Sequence, residues 1–308
     1  MPTSTLPLGI VINPTSGRGR GKAIGARVLE LLDSAGVTYK NLSGGDLAAA
    51  RSNVRKAVAD RAVRGVVAVG GDGMVHLAVN ACVNTNIPVG MIAAGTGNDS
   101  ARALYLPYKD TEAAVAQLLE YLDSPRQIDT IRATSSAGEF YCFGTLAAGF
   151  DSLVAGRANQ MSFPKGPSRY QIAMVLELLK FKGLNFTTVL DGKERKLEAM
   201  LCTVANAWVY GGGMMIAPEA KLDDGELDLF VVHKLPRLEL LRMFPKVFTG
   251  THVTHPKVEI LRVKQVALDS GPMPVYAEGE QVGFGPVTAT VAPRSLFVFA
   301  PAVNAVAE

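Results

Sequence analysis

The chain has 308 residues, 48% of them hydrophobic, with a formal charge of +3 at neutral pH. That length predicts two domains, each with its own core. So mild a charge argues against nucleic acid as a partner and leaves ordinary solubility, or an anionic membrane surface or phosphate-bearing ligand, as its meaning. Cys82, Cys142 and Cys202 share no CxxC spacing, which argues against a disulfide framework and a zinc knuckle. Without a basic–apolar leader or a long uncharged apolar run, a cytoplasmic protein with only peripheral membrane contact is expected.

Leu8–Asn13 reads as a buried strand, followed by the loop PTSGRGRG and a helix to about Asp33. Val37–Leu42 is a second strand, Leu47–Ala62 a helix, Gly65–Val69 a third strand and Val75–Val83 a helix. Ile87–Ile92 is a fourth strand, and a helix over Thr111–Leu122 closes this half. Strands alternating with helices predict right-handed βαβ crossovers and a parallel sheet. After Ser124-Pro125 the pattern changes. Gln127–Thr134, Phe140–Ala147, Phe186–Leu190, Ala199–Ala205, Leu227–Val232, Val258–Leu268 and Val275–Ala277 read as strands, interrupted by helices at Tyr170–Lys180 and Leu235–Phe248. The predicted fold class is α/β plus β: an N-terminal parallel α/β domain over residues 1–126 and a C-terminal antiparallel β-sandwich domain over 127–293.

Three glycine-rich turns follow strands of the first half: Asn13-Pro14-Thr15-Ser16-Gly17, Gly70-Gly71-Asp72-Gly73-Met74 and Gly95-Thr96-Gly97-Asn98-Asp99. Ligands of open α/β sheets bind beyond the carboxyl ends of the strands, where backbone N–H groups and helix N-termini attract anions. Three turns on one edge point to a phosphate cradle. It is not a P-loop, because Gly17 and Gly21 are separated by three residues and Lys22 is followed by Ala23. Nor is it GxGxxG, because Gly95 and Gly97 are followed by Ser100. Asp72 and Asp99 each sit in a glycine turn, and two carboxylates beside a triphosphate suit Mg²⁺, which keeps several of its waters. Either carboxylate alone would serve as readily as a helix N-cap; together they favour metal support, and no packing role is apparent for Asp72.

NPTSG, GGDGM and GTGND, in this order, resemble the diacylglycerol kinase family of lipid kinases, which includes sphingoid-base and ceramide kinases and is distantly related to NAD kinases. Tyr210–Val231 (YGGGMMIAPEAKLDDGELDLFV), Ala148-Gly-Phe-Asp151 and Val275–Glu280 (VYAEGE) extend the resemblance over nearly the whole chain. It implies ATP at the turns of the first domain and a lipid entering between the domains. Asn13–Gly17, Ser43 near the end of strand two, Gly70–His76 (including Met74, Val75 and His76) and Gly95–Asn98 would bind the nucleotide. Arg18 and Arg102 would meet phosphate charge. Asp72 and Asp99 would support the catalytic Mg²⁺. A second, structural Mg²⁺ would sit at the KLDDG turn, at Lys221, Asp224 and Glu226. Asp72, Asp99, Arg102 and Glu278 would form the catalytic set, with Glu278 as the base. A strand near 294–301 would return to the first domain. The resemblance further implies a diacylglycerol-like substrate, contact with the inner membrane face and room for a homodimer.

Three positions depart from the family pattern. Met74 stands where Thr is usual and Leu77 where Glu is usual, and the family's Asp-Gly-Glu is here Glu278-Gly279-Glu280. The added methylene moves the carboxylate oxygens by about 1.5 Å. Two alternatives stay open on the residues: a soluble-substrate kinase of the NAD-kinase type, and a catalytically weakened ATP- or lipid-binding protein. Met161, Phe163, Pro164, Met174, Leu178 and Phe181 form an apolar stretch suited either to acyl chains or to packing within its own domain. His252-Val-Thr-His255 lacks a third metal ligand, and Trp208 is expected to pack on Gly211–Gly213.

Overall fold

The computed structural model describes residues 6–161, 163, 167–181 and 183–302, with the side chains of 167–171 and 179 left out of the description. Pro164 of the apolar stretch lies outside the described residues. The chain forms two compact units. The first runs to Ile128 and resumes at Arg294; the second is Asp129–Pro293.

In the first unit the elements are β1 (Leu8–Ile12), α1 (Ser16–Ser34), β2 (Tyr39–Asn41), α2 (Leu47–Ala59), β3 (Gly65–Gly70), α3 (Asp72–Cys82), β4 (Val89–Ala93), α4 (Asp99–Ala103) and α5 (Thr111–Glu120). The strands pair in parallel in the order β2-β1-β3-β4. β3 is buried along its whole length, because helices cover both faces of a parallel sheet. Leu8, Ile10, Val67, Val69 and Ile92 meet Val28 and Leu32 of α1 and Val115 and Leu118 of α5 in one core. Asp46 and Asp110 cap α2 and α5 by accepting from Ala49 N and Ala113 N. Val37–Leu42 pairs over only Tyr39–Asn41, and α4, a five-residue helix, has too short an apolar repeat to be read from sequence.

The second unit is antiparallel and β-rich. Its elements are β5 (Arg126–Ser135, which begins in the first unit), β6 (Gly138–Cys142), β7 (Thr145–Gly149), α6 (Phe150–Gln160), α7 (Pro167–Lys180), β8 (Leu184–Leu190), β9 (Lys193–Ala205), β10 (Leu227–His233), α8 (Arg237–Met243), β11 (Val258–Val263), β12 (Gln265–Asp269), β13 (Pro274–Ala277), β14 (Glu280–Phe284) and β15 (Val287–Val298). β9 is central, pairing with β7, β8 and β10. Two expected strands are broken. Phe140–Ala147 divides at Phe143-Gly144, and Val258–Leu268 divides at Lys264, where Asp191 Oδ1 accepts from both Lys264 N and Gln265 N. The predicted helix at Leu235–Phe248 is α8 followed by 3-10 turns, Pro245 lying at their start. The final strand is longer than the sequence pattern suggests and begins at Val287.

Candidate active site

Because β1, β3 and β4 are neighbours, their carboxyl ends bring the three glycine turns to one edge. The turns touch through backbone. A Cβ on Gly17 would stand 2.2 Å from Ala94 O, and one on Gly95 would stand 2.5 Å from Gly71 Cα. Neither position tolerates a side chain, and Gly17 is in addition at φ +57°, a region that glycine adopts without cost. A Cβ on Gly70 would lie 3.4 Å from Ser16 Oγ. Asp72 and Gly73 open α3, so their first-turn N–H groups have no acceptor within the helix and carry its positive dipole end.

The two carboxylates meet at the third turn. Asp72 Oδ2 and Asp99 Oδ2 lie 3.1 and 3.2 Å from the position that a Cβ would take on Gly97. Asp72 also caps a helix, the role that stood beside metal support in the sequence, but the helix is α4 and not its own α3. Its Oδ1 accepts from Ser100 N at 2.9 Å and Ser100 Oγ at 3.0 Å, capping α4 from across the sheet edge. Among the described residues no three His, Cys, Asp or Glu side chains gather as metal ligands. A pair of carboxylates beside a phosphate cradle nonetheless fits Mg²⁺, which takes one or two carboxylates and fills its other positions with phosphate and water.

Several of the predicted binding side chains shape their own turns. Asn13 Oδ1 accepts from Thr15 N and Thr15 Oγ1, and Asn98, left-handed at φ 55°, accepts from Gly95 N and donates to Gly95 O. Ser43 Oγ accepts from Ile12 N, tying β2's exit to the end of β1. Pro14, Thr15 and Thr96 are exposed beside the cradle, as is Arg18, at φ 64°. Val75 is buried beneath the turns, and His76 is half-buried with Asn80 Nδ2 donating to its carbonyl. Met74 packs over Gly70, and Met74 and Leu77 are both buried in α3. These two departures from the family pattern are therefore core positions in this chain.

Arg102 is clipped to the third turn. Its Nε donates to Gly97 O at 3.2 Å and lies 4.0 Å from Asp99 Oδ1. Its Nη1 donates to Tyr108 OH at 2.9 Å, and the guanidinium stacks 4.0 Å above the Tyr108 ring. Tyr108→Ala should release this clip. The loss of a charged hydrogen bond and a cation–π contact is about 1–2 kcal/mol, so a phosphate-bearing ligand held at this turn is expected to bind five- to thirty-fold more weakly in calorimetric titrations. An unchanged affinity with a lowered melting temperature would show that Tyr108 serves general stability alone.

In the second unit Glu278 and Gly279 form the two-residue turn between β13 and β14, both at positive φ (47° and 81°), as the hairpin's twist requires. A glutamate there costs about 1 kcal/mol. Glu278 Oε1 accepts from Gly144 N at 2.9 Å, an amide outside both strands at the point where the Phe140–Ala147 run breaks. Asn159 of α6 donates to Gly279 O and steadies the hairpin.

The KLDDG turn closes through a residue that the sequence did not single out. Buried Asp129 accepts from Gly225 N at 2.7 Å through Oδ2 and donates its own N–H to Leu222 O. Asp224 Oδ1 accepts from Glu226 N, Glu226 lies 3.7 Å from Arg262, and Lys221 is exposed. The side chains of Asp224 and Glu226 are thus engaged within the protein. Next to them, burial pushes the Asp228 carboxyl up to about 6, aided by Asp224, Glu226 and Glu219 and opposed by Arg262. A carboxyl raised in the folded state destabilises as it ionises, so this cost is absent near pH 4 and complete above pH 6. Asp228→Asn should therefore be more stable than wild type at pH 8 by about 1–2 kcal/mol, with a smaller gap at pH 5, in urea titrations. A gap independent of pH would contradict the raised carboxyl.

Asp151, at the start of α6, is likewise raised to about 6 by burial, although Thr203 Oγ1 donates to it at 2.6 Å and Ser152 N at 2.9 Å. His252 and His255 are not a metal pair. His252 is buried against Ile216 O and edge-on to Phe230, and His255 contacts Glu239.

Residues 7–133 match the sequence model of the diacylglycerol kinase catalytic domain, and residues 144–300 match that of the YegS C-terminal NAD kinase beta sandwich-like domain. A diacylglycerol kinase of Mycobacterium tuberculosis (strain CDC 1551 / Oshkosh) is 38% identical over 291 residues, covering 94% of this chain and 93% of the relative. A diacylglycerol kinase of Bacillus subtilis (strain 168) is 27% identical over 292 residues, covering 90% of each. A crystal structure of a diacylglycerol kinase from Bacillus anthracis str. Sterne shares the fold with a TM-score of 0.70 at 17% identity, over 96% of this chain and 97% of that one. Matched by these family models along most of its length, the chain belongs to the diacylglycerol kinase family and is a kinase.

Proposed function

We propose that the protein transfers the γ-phosphoryl group of ATP, with Mg²⁺, to the hydroxyl of a diacylglycerol-like lipid, acting in the cytoplasm at the inner membrane face. The observation that carries this reading is the meeting of three glycine turns around Asp72 and Asp99. Phosphoryl transfer asks a protein for positioning and charge stabilisation more than for covalent chemistry. The N–H groups that open α3 face the anion, and the close-packed glycines let phosphate oxygens approach backbone. Asp72 is oriented by Ser100 through Oδ1, so that Oδ2 stands with Asp99 at the Gly97 edge, where the pair would hold Mg²⁺ through its waters. When bound, that ion would neutralise phosphate charge. Arg102, held by Tyr108, fixes the turn that carries Asp99. Glu278 is the group that would take the proton of the attacking hydroxyl, its carboxylate oriented by Gly144 N–H.

The weakened-binder alternative, motivated by Leu77 and Glu278, is decided by turnover. A transfer assay with γ-labelled ATP, offered diacylglycerol, sphingoid base and NAD in separate reactions, tests the proposal. Label in phosphatidic acid is expected. Label in phosphorylated NAD alone would assign the soluble-substrate reading, and no label in any product would overturn the kinase chemistry.

A further inference from the structure

Within the second unit, the ladder between β7 and β9 pairs Thr145 with Ala205 and stops one pair short of Gly144 and Asn206. The contact continues in another form. Gly144 O accepts from Asn206 N at 2.8 Å and from Ala207 N at 3.1 Å. The Asn206 side chain is 1% exposed and uses both protons of its amide, Nδ2 donating to Phe143 O at 2.9 Å and to Asp129 O at 3.0 Å. Two carbonyl acceptors decide which end of the amide faces them. Its Oδ1 is buried with no hydrogen-bond partner among the described residues, so donation alone accounts for a polar side chain at this position.

Phe143 O and Gly144 N are the two ends of one planar peptide group. Asn206 holds the carbonyl end, and the N–H end donates to Glu278 Oε1 at 2.9 Å. Fixing one end of a planar group fixes the other. A peptide that precedes glycine turns over readily, because glycine adopts either sign of φ, and the inverted group would aim its carbonyl at the Glu278 carboxylate. Donation to the carbonyl also polarises the peptide and strengthens its N–H as a donor. Phe143 is itself 1% exposed, so solvent does not replace the Asn206 amide. We infer that Asn206 is the positioning residue for Glu278, acting through the Phe143–Gly144 peptide. The inference rests on the reading of Glu278 as the base and adds the group that keeps its carboxylate aimed. Gly144 O stays bonded to Asn206 N and Ala207 N whatever side chain stands at 206, so a substitution there releases the peptide without opening the end of the ladder.

The test is a double-mutant cycle on the full chain, with γ-labelled ATP and a short-chain diacylglycerol, over wild type, Asn206→Ala, Glu278→Gln and the double variant. Asn206→Ala should lower kcat by on the order of 100-fold, the effect of displacing a reacting group by about 1 Å, with KM for ATP near wild type. In the Glu278→Gln background the same substitution should lower kcat less than about twofold, because residues that act as a unit are not additive. A purely structural role would cost the same in both backgrounds. The second readout is amide NMR of protein labelled at phenylalanine carbonyls and glycine nitrogens, which isolates Gly144 and Gly285, the glycines that follow phenylalanine. Asn206→Ala should move the Gly144 signal upfield, as Glu278→Gln does, and leave Gly285 in place. With Glu278→Gln impaired as expected, equal losses in the two backgrounds overturn the inference, and so does a Gly144 signal that Asn206→Ala leaves where it was. If wild type transfers no label, or Glu278→Gln keeps wild-type turnover, the base reading falls and the Gly144 signal alone decides whether Asn206 positions this side chain. Should Asn206→Ala not fold, Asn206→Ser takes its place in the cycle, its hydroxyl having one proton for two carbonyls, with the same pattern expected at smaller amplitude.

Discussion

Asp72→Asn is expected to lower phosphoryl transfer by on the order of 100- to 1,000-fold, the range for losing one preorganised charge at a reacting centre. Asparagine is the informative replacement because Asp72 has two tasks. Its Oδ1 caps α4 through Ser100 N and Oγ, and an amide oxygen still accepts those bonds. Its Oδ2 stands with Asp99 beside Gly97, and there asparagine brings no negative charge to hold Mg²⁺. Stability should stay near wild type. Asp72→Ala should match the loss of turnover and in addition cost about 1 kcal/mol of stability through the missing cap. The checks are saturation kinetics in ATP and Mg²⁺ together with thermal melts. Turnover of Asp72→Asn within a few-fold of wild type at saturating Mg²⁺ would falsify the metal assignment and leave Asp72 as a cap alone.

Glu278→Gln should lower kcat by about 100- to 10,000-fold, or roughly 2.7–5.4 kcal/mol of barrier. The amide keeps the size of the side chain and can still accept from Gly144 N, but it cannot take the proton of the attacking hydroxyl. Nucleotide affinity, measured by calorimetry, should barely change, because in the proposed reaction the glycine turns rather than Glu278 would face the phosphates. Glu278→Asp separates two accounts of the unusual glutamate. In this structure the longer side chain reaches Gly144 N at 2.9 Å from a strained left-handed turn. Aspartate falls short of that amide, so its carboxylate loses the bond that orients it, and turnover should fall by on the order of 100-fold for a displacement of this size. A faster Asp variant would show that the hairpin retains an aspartate-sized geometry. Unchanged turnover in both variants would move the base to Glu280 or to a water.

The alternating strands and helices of the first unit, the strand-rich second unit and the three glycine turns at one sheet edge are all legible in the sequence. Apolar runs, glycine spacing and the order of parallel βαβ connections are local signals, and local signals survive without a fold. The same holds for family membership, which rests on motifs that can be quoted. Element ends were less legible. Gly144 breaks a run that reads as one strand, α4 is too short to show a repeat, and α6 carries little apolar periodicity. What each carboxylate does was decided only by the tertiary structure. Asp72 reaches Ser100 across 28 positions, Asp129 reaches Gly225 across 96, and Glu278 reaches Gly144 across 134. The sequence sets Asp72 and Glu278 beside glycines and leaves Asp129 in an ordinary strand. A hydrogen bond between groups so far apart along the chain is fixed by which strands become neighbours and in what register, and that depends on burying both cores at once rather than on any window of residues.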